Sequence, residues 1–242
     1  MTGERIKQAR LVAGLTLDET TERLAKLGVS ISKQGLSNYE KNRRTPKASV
    51  FMALAKALGV KTDYFVGQPK VTIRWYAYRC QSRLQKRQKE EIQAFAQSLA
   101  EQHMELQSTL FPVLKAEFPA PMKAQSGEEA EKVAQKLRQE WRLGTDPIES
   151  LAQTIESKKA VLVERPMPGV KFDGLSGWIN EAFPLLVINS SVPTDRLRFN
   201  LAHELGHLVL DCGRMAPKEQ ERMAHRFAGA FLVPRDSLRI EL

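Results

Sequence analysis

From residue 4 to residue 66, apolar positions recur at helical spacing in short runs, each closed by a turn residue. RIKQARLVA reads as a first helix that stops at Gly14. Thr16 is placed to cap the next helix, LDETTERLAKL; Glu19, three residues on, completes a reciprocal capping box, and Gly28 ends the element. Ser32 caps KQGLSNYEK, which closes near Asn42, a residue type that tolerates the left-handed conformation. Pro46 fits the entry to KASVFMALAKAL, which ends at Gly59, and TDYF makes a short turn. Gly67, Gln68 and Pro69 then mark a boundary.

The pattern changes beyond it. From Trp75 to about Leu110 the chain is rich in Gln, Glu, Lys and Arg with spaced apolar residues, which predicts one or two long exposed helices. The a/d repeat of a coiled coil is not sustained there. FPAPMKAQSG breaks the run, and EEAEKVAQKLRQEW follows as an amphipathic helix. DPIESLAQTIES starts another, with Asp146 as cap before Pro147. AVLVERP reads as a strand, Gly174 and Gly177 bracket a turn, and GWINEAFPLLVINSS gives two strands joined near Glu181–Pro184. Two helices close the chain, at about 194–211 and 217–232. The expected class is mostly α with a small β-sheet (α+β). An all-α helix-turn-helix bundle is expected over residues 1–68, a helical connector over 69–127, and an α+β domain over 128–242.

Composition narrows compartment and partner. No apolar run approaches the ~20 residues that span a bilayer. MTGERIKQAR lacks the apolar core of a signal peptide. A cytoplasmic protein without membrane association is therefore expected. Cys80 and Cys212 lie far apart, and in a reducing compartment they read as two free thiols. Cys212 follows a histidine motif and is a less favoured candidate ligand. The formal net charge is +9, and it is unevenly spread: residues 1–70 carry 13 Lys/Arg against 6 Asp/Glu, the remainder 24 against 22. The basic excess sits in the first third, where a polyanion is the expected partner.

A helix, a tight turn and a second short polar helix make the geometry that enters a DNA major groove. Ala25 is expected on the face between the helices, with Gly28 giving the turn and Leu36 and Tyr39 pointing inward. Ser32, Lys33, Gln34, Ser37 and Asn38 then face outward toward base edges or phosphates, and Lys41, Arg43 and Arg44 follow where the phosphate backbone would pass. The bland alternative is a helical bundle used only for dimerisation. RIKQAR, LTLDETTERLAKLGV, ISKQGLSNYEKNRRTP and LAKALGV together resemble the XRE/Cro-like helix-turn-helix family over residues 4–66. The resemblance implies a double-stranded DNA operator and binding as a homodimer. Two departures bear on the contacts: Leu17 stands where the family often has Gln, and the turn before Ser32 is about two residues longer than usual.

The strongest signal is His203-Glu204-Leu205-Gly206-His207. On a helix, positions i and i+4 share a face, so His203 and His207 can hold one metal ion. Glu204 is placed to act as a general base on water. Zinc suits two imidazoles and a carboxylate, one ion per chain, with a position left open. Leu201, Leu205 and Leu208 make the apolar stripe, Thr194 the expected N-cap and Gly213 the stop. The third ligand should come from the following helix, as Glu219 or Glu221. Glu221 is preferred, because Ala224 and Ala228 lie one and two turns on and would let the helices pack closely. His225 shares that face and reads equally as a residue steadying a ligand or as a surface histidine.

LRQEWRLGTDPIESL, FDGLSGWI, DRLRFNLAHELGHLVLD and ERMAHRFAGAFLVP resemble the ImmA/IrrE metallopeptidase family over about residues 128–234. The resemblance implies a zincin-like domain with Glu221 as third ligand. His225 replaces the family's Asn. PLLVINSS would correspond to the strand lining the cleft, where a peptide could add as an extra strand. Relatives often continue past LVPRDSLRIEL, so either a short version of the domain or a fragment of a longer chain is expected. Family members are implied to cleave helix-turn-helix repressors in stress responses or mobile elements. The expectation is thus a DNA-binding transcriptional regulator carrying a zinc endopeptidase that cuts a repressor or regulatory partner. The alternative is a DNA-binding regulator or antitoxin whose C-terminal domain is a non-proteolytic sensor or dimerisation module.

Overall fold

A computed structural model describes residues 2–76, 84–112, 117–235 and 237; Cys80, expected as a free thiol, lies outside them. The chain divides into two compact units, each built from non-contiguous segments. Residues 1–71 and 85–105 form the first, 72–84 and 106–242 the second. The stretch expected as a connector thus contributes to both.

The first unit is all helical: α1 (Thr2–Val12), α2 (Leu17–Lys26), α3 (Lys33–Glu40), α4 (Ala48–Leu58) and the single turn α5 (Asp63–Val66). Local signals set the boundaries. Thr16 and Glu19 form the reciprocal capping box at the start of α2, and the Ser32 hydroxyl accepts from the Gly35 N–H to open α3. Gly59 closes α4 in the left-handed conformation at φ 69°, and Asn42 reaches φ 56° after α3. Ile6, Leu24, Leu36, Leu54 and Phe65 fill the core. On α2 it is Thr20 and Leu24, four apart, that are buried; Ala25 is one step round the helix and exposed, not between the helices as expected. Two buried ion pairs tie segments distant in sequence. Arg10 donates from Nε and Nη2 to both Glu40 carboxylate oxygens, at 2.6 and 3.0 Å, and from Nη1 to the Leu15 carbonyl at 2.8 Å. Arg5 donates to Glu101 at 2.5 Å, reaching the long helix α6 (Lys86–Leu110). That helix is not simply exposed: Ile92, Ala94, Ala96 and Ala100 are buried.

The second unit is α+β. Its four-stranded sheet has the order β1-β4-β5-β3, with β1 Ile73–Trp75, β3 Val161–Arg165, β4 Gly174–Ile179 and β5 Phe183–Asn189. β3 and β5 are parallel; β4 is antiparallel to β5, and β1 to β4. A two-stranded parallel pair joins β2 (Met122–Lys123) to β6 (Leu210–Asp211). Helices α7 (Gly127–Glu140), α8 (Leu151–Ser157), α9 (Thr194–Val209) and α10 (Pro217–Leu232) complete the unit. α9 packs on β4 and β5, α10 packs on α9, and α7 packs on α10. The core runs from Val133, Leu137 and Trp141 through Leu186 and Ile188 to Leu205, Leu208, Phe227 and Phe231.

Several expectations are corrected here. Trp75 lies in a strand, not a connector helix. Gly174 and Gly177 stand inside β4 rather than bracketing a turn. The β4–β5 turn is Asn180–Glu181, at φ 50° and 58°. α8 begins after Ser150, whose hydroxyl accepts from the Gln153 N–H, so Asp146 is not its cap. The reason is Arg138, a buried side chain whose guanidinium donates to the Gly144, Asp146 and Phe231 carbonyls and so holds residues 144–146 out of a helix. Thr194 is the first residue of α9; Pro193 occupies the cap position without a side-chain bond. PLLVINSS is not a cleft edge: β5 is central, paired with β3 on one side and β4 on the other, so no peptide can add to it.

Candidate metal centre and helix-turn-helix surface

Helix α9 carries His203 and His207 one turn apart, and α10 brings Glu221 to them. The two Nε2 atoms are 3.0 Å apart; Glu221 Oε2 lies 3.2 Å from His203 Nε2 and Oε1 lies 3.5 Å from His207 Nε2. Among the described residues, these are the His, Cys, Asp and Glu side chains grouped closely enough to share an ion. Neither Glu219 nor Cys212 belongs to the group. The approach of α10 depends on small residues. A Cβ at Gly206 would lie 3.0 Å from Phe227 Cδ1 and 3.3 Å from Ala224 Cα, and Ala224 and Ala228 are fully buried.

The donor set fits zinc. A tetrahedron with bonds of ~2.0–2.1 Å has edges of about 3.3 Å, close to the three separations found. Two imidazole nitrogens facing each other at 3.0 Å need a proton or a cation between them. Burial works to lower the His207 pKa, but the hydrogen bond to Glu221 and the charges of Glu204 and Glu221 outweigh it, and the net displacement is upward. Glu204 is buried, and its Oε2 has no hydrogen-bond partner among the described residues.

Two residues around the cluster were not singled out for their contacts by the sequence reading. Gly174 on β4 lies against Glu204: a Cβ there would fall 2.7 Å from Glu204 Cγ. A glycine inside a strand marks such a close approach, and that was the available signal. Asp173 next to it accepts from Arg196 at 2.8 Å and from Asn200 at 3.2 Å, joining the start of β4 to α9. His225 is exposed, yet its ring stacks on Phe199, centroids 5.6 Å apart, and tilts against His203 at 4.4 Å. Burial, and then the neighbouring His203, lower its pKa.

Residues 155–242 match a peptidase-family model described as the IrrE N-terminal-like domain, and residues 6–65 match a helix-turn-helix model. The chain joins a helix-turn-helix domain to an IrrE-like peptidase domain. A 70-residue stretch is 37% identical to the HTH-type transcriptional regulator ImmR of Bacillus subtilis (strain 168), covering 29% of this chain and 51% of that protein. The match thus spans about half the length of that relative. No solved structure matches the chain.

In the helix-turn-helix domain, α3 places Ser32, Lys33 and Gln34 on the exposed surface and leaves Ser37 and Asn38 half-buried. Lys41, Arg43 and Arg44 follow it and are exposed. Ser32 is engaged as a cap; Lys33 donates to Asp18 at 2.6 Å, and Gln34 to Asn38 at 3.2 Å. Arg10 and Glu40, which sequence reading passed over, lock α1 to the end of α3. No described helix is long and apolar enough to cross a membrane.

Proposed function

We propose that this protein is a DNA-binding transcriptional regulator carrying a zinc-dependent endopeptidase that cuts a repressor or regulatory protein. One observation carries the peptidase half: His203, His207 and Glu221 converge within ligand distance while the neighbouring Glu204 carboxylate is buried with an oxygen that has no partner among the described residues. A structural metal site has no use for that carboxylate, and an idle buried acid is destabilising. A zinc ion on these three side chains would polarise a scissile carbonyl and acidify water. Glu204 Oε2 takes the proton of the attacking water and passes it to the departing amine. His225, against the ring of His203, steadies that imidazole. α3 enters the major groove of an operator, with Lys33, Gln34, Ser37 and Asn38 toward the bases and Ser32, Lys41, Arg43 and Arg44 on phosphates, two copies binding as a homodimer.

Metal content is the test. Purified protein is expected to hold about one zinc per chain, lost in His203→Ala and Glu221→Ala and kept in Glu204→Gln. With a helix-turn-helix regulator as substrate, cleavage is expected in the wild type and not in Glu204→Gln. Absence of metal after zinc is supplied would sink the peptidase half and leave a regulator with a non-proteolytic C-terminal domain.

A further inference from the structure

β4 is the strand against Glu204, through Gly174. An extended peptide added along the outer edge of β4 would therefore run beside the carboxylate read above as the general base. Such an edge offers a row of backbone donors and acceptors, which is how sheets take up peptide strands. In this protein the edge already has an occupant, the chain's own β1.

The register gives its direction. Ile73 lies opposite Ile179 and Trp75 opposite Gly177, and the Tyr76 N–H then donates to the Ser176 carbonyl at 2.8 Å. β1 therefore advances along β4 toward its Gly174 end. The seat is built for it. The Asn180 N–H donates to the Thr72 carbonyl, and the Asn180 side-chain oxygen accepts from the Thr72 N–H, both at 2.8 Å. Asn180 can do both because it sits in the left-handed turn at φ 50°. A Cβ at Gly177 would lie 2.7 Å from the Arg74 carbonyl oxygen and 3.2 Å from Trp75 Cα, so a side chain there would exclude the strand. Arg74 adds a 3.6 Å pair with Glu181, and Tyr76 packs on the core.

We propose that residues 72–76 are a resident strand on the peptide-binding edge, and that an extended polypeptide substrate pairing along Ser176–Ile179 toward Glu204 must displace them. The consequence for cleavage rests on the peptidase reading; the occupancy of the edge does not. A tethered strand competes at an effective concentration in the millimolar range, so the wild-type edge is closed to free peptides well below that.

The experiment uses the full chain in a Glu204→Gln background, so that nothing is cut. The probe is a fluorescein-labelled peptide of residues 70–76, followed by anisotropy. Thr72→Pro with Tyr76→Pro removes the N–H groups donated to Asn180 and Ser176. Thr72→Pro alone removes one of these two donors while leaving Asn180 and β4 intact for the probe, and decides the matter if the double variant fails to fold by circular dichroism. The freed edge is expected to bind the peptide at least tenfold more tightly than the parent, with a smaller gain in Thr72→Pro alone. A parent that binds as tightly as the folded variants, or folded variants that bind no better than the parent, would overturn the proposal. Zinc content on the same samples reports on the peptidase reading separately, because peptide capture needs neither metal nor turnover.

Discussion

Replacing Arg10 by methionine removes a guanidinium that satisfies both oxygens of Glu40 and the Leu15 carbonyl in the interior of the first unit. Glu40 is then a buried carboxylate without its cation. Breaking one side of such a pair is worth about 3–5 kcal/mol. That is about a fifth or more of the ~5–15 kcal/mol that holds a typical domain. At roughly 4–8 °C per kcal/mol for a unit of this size, the transition falls by at least ~12 °C. Glu40→Leu alone is also destabilising, since it leaves Arg10 buried with the Leu15 carbonyl as its remaining partner. The double variant Arg10→Met with Glu40→Leu recovers to within about 1–2 kcal/mol of the wild type, because a packed apolar pair needs no desolvation. The cycle is read by thermal and urea unfolding. All three tryptophans, Trp75, Trp141 and Trp178, belong to the second unit, so their emission follows that unit while far-UV circular dichroism follows both. A loss seen in dichroism and not in tryptophan emission places the damage in the first unit. A double variant as unstable as the sum of the singles would refute the coupling, and with it the claim that this pair fixes α3 against α1.

Three further outcomes are expected. Gly174→Ala pushes a methyl into Glu204 and should lower peptidase activity by about 100-fold while zinc content stays unchanged; full activity would show that Glu204 has room to move. Arg138→Leu strands buried carbonyls at Gly144, Asp146 and Phe231, and should destabilise the second unit by about 3 kcal/mol in urea melts followed by tryptophan emission; a change below about 1 kcal/mol would show that water replaces the clamp. In metal-free protein the raised pKa of His207 means that its pairing with Glu221 stabilises fully below about pH 6.5 and is lost as pH rises through the higher folded value. The Tm of chelated wild type should therefore fall more steeply from about pH 6 to 8 than that of Glu221→Gln, and equal slopes would argue against the pairing.

The helix-turn-helix domain was legible because its signals are local. Thr16 with Glu19, Ser32, Asn42 and Gly59 each act within a turn of where they stand. The two histidines were legible for the same reason, a fixed spacing on one helix. What could not be read depended on a partner distant in the chain. Ile73–Trp75 is too short to show alternation and becomes a strand only because β4 offers an edge. Gly174 and Gly177 look like turn residues until Glu204 and Arg74 are brought against them. Asp146-Pro147 is a sound helix start that Arg138 overrides by claiming the carbonyls around it.

The crossing of the chain between its two compact units at 71–72, 84–85 and 105–106 bears on how such a protein can be rearranged. A cassette ending at residue 68 would deprive Arg5 of Glu101, leaving a buried cation unanswered. One beginning at residue 128 would strip β1 from β4 and bare a sheet edge. Neither part is a module that can be lifted out and joined elsewhere by a single splice. Exchange of one part for another must carry the whole interleaved stretch.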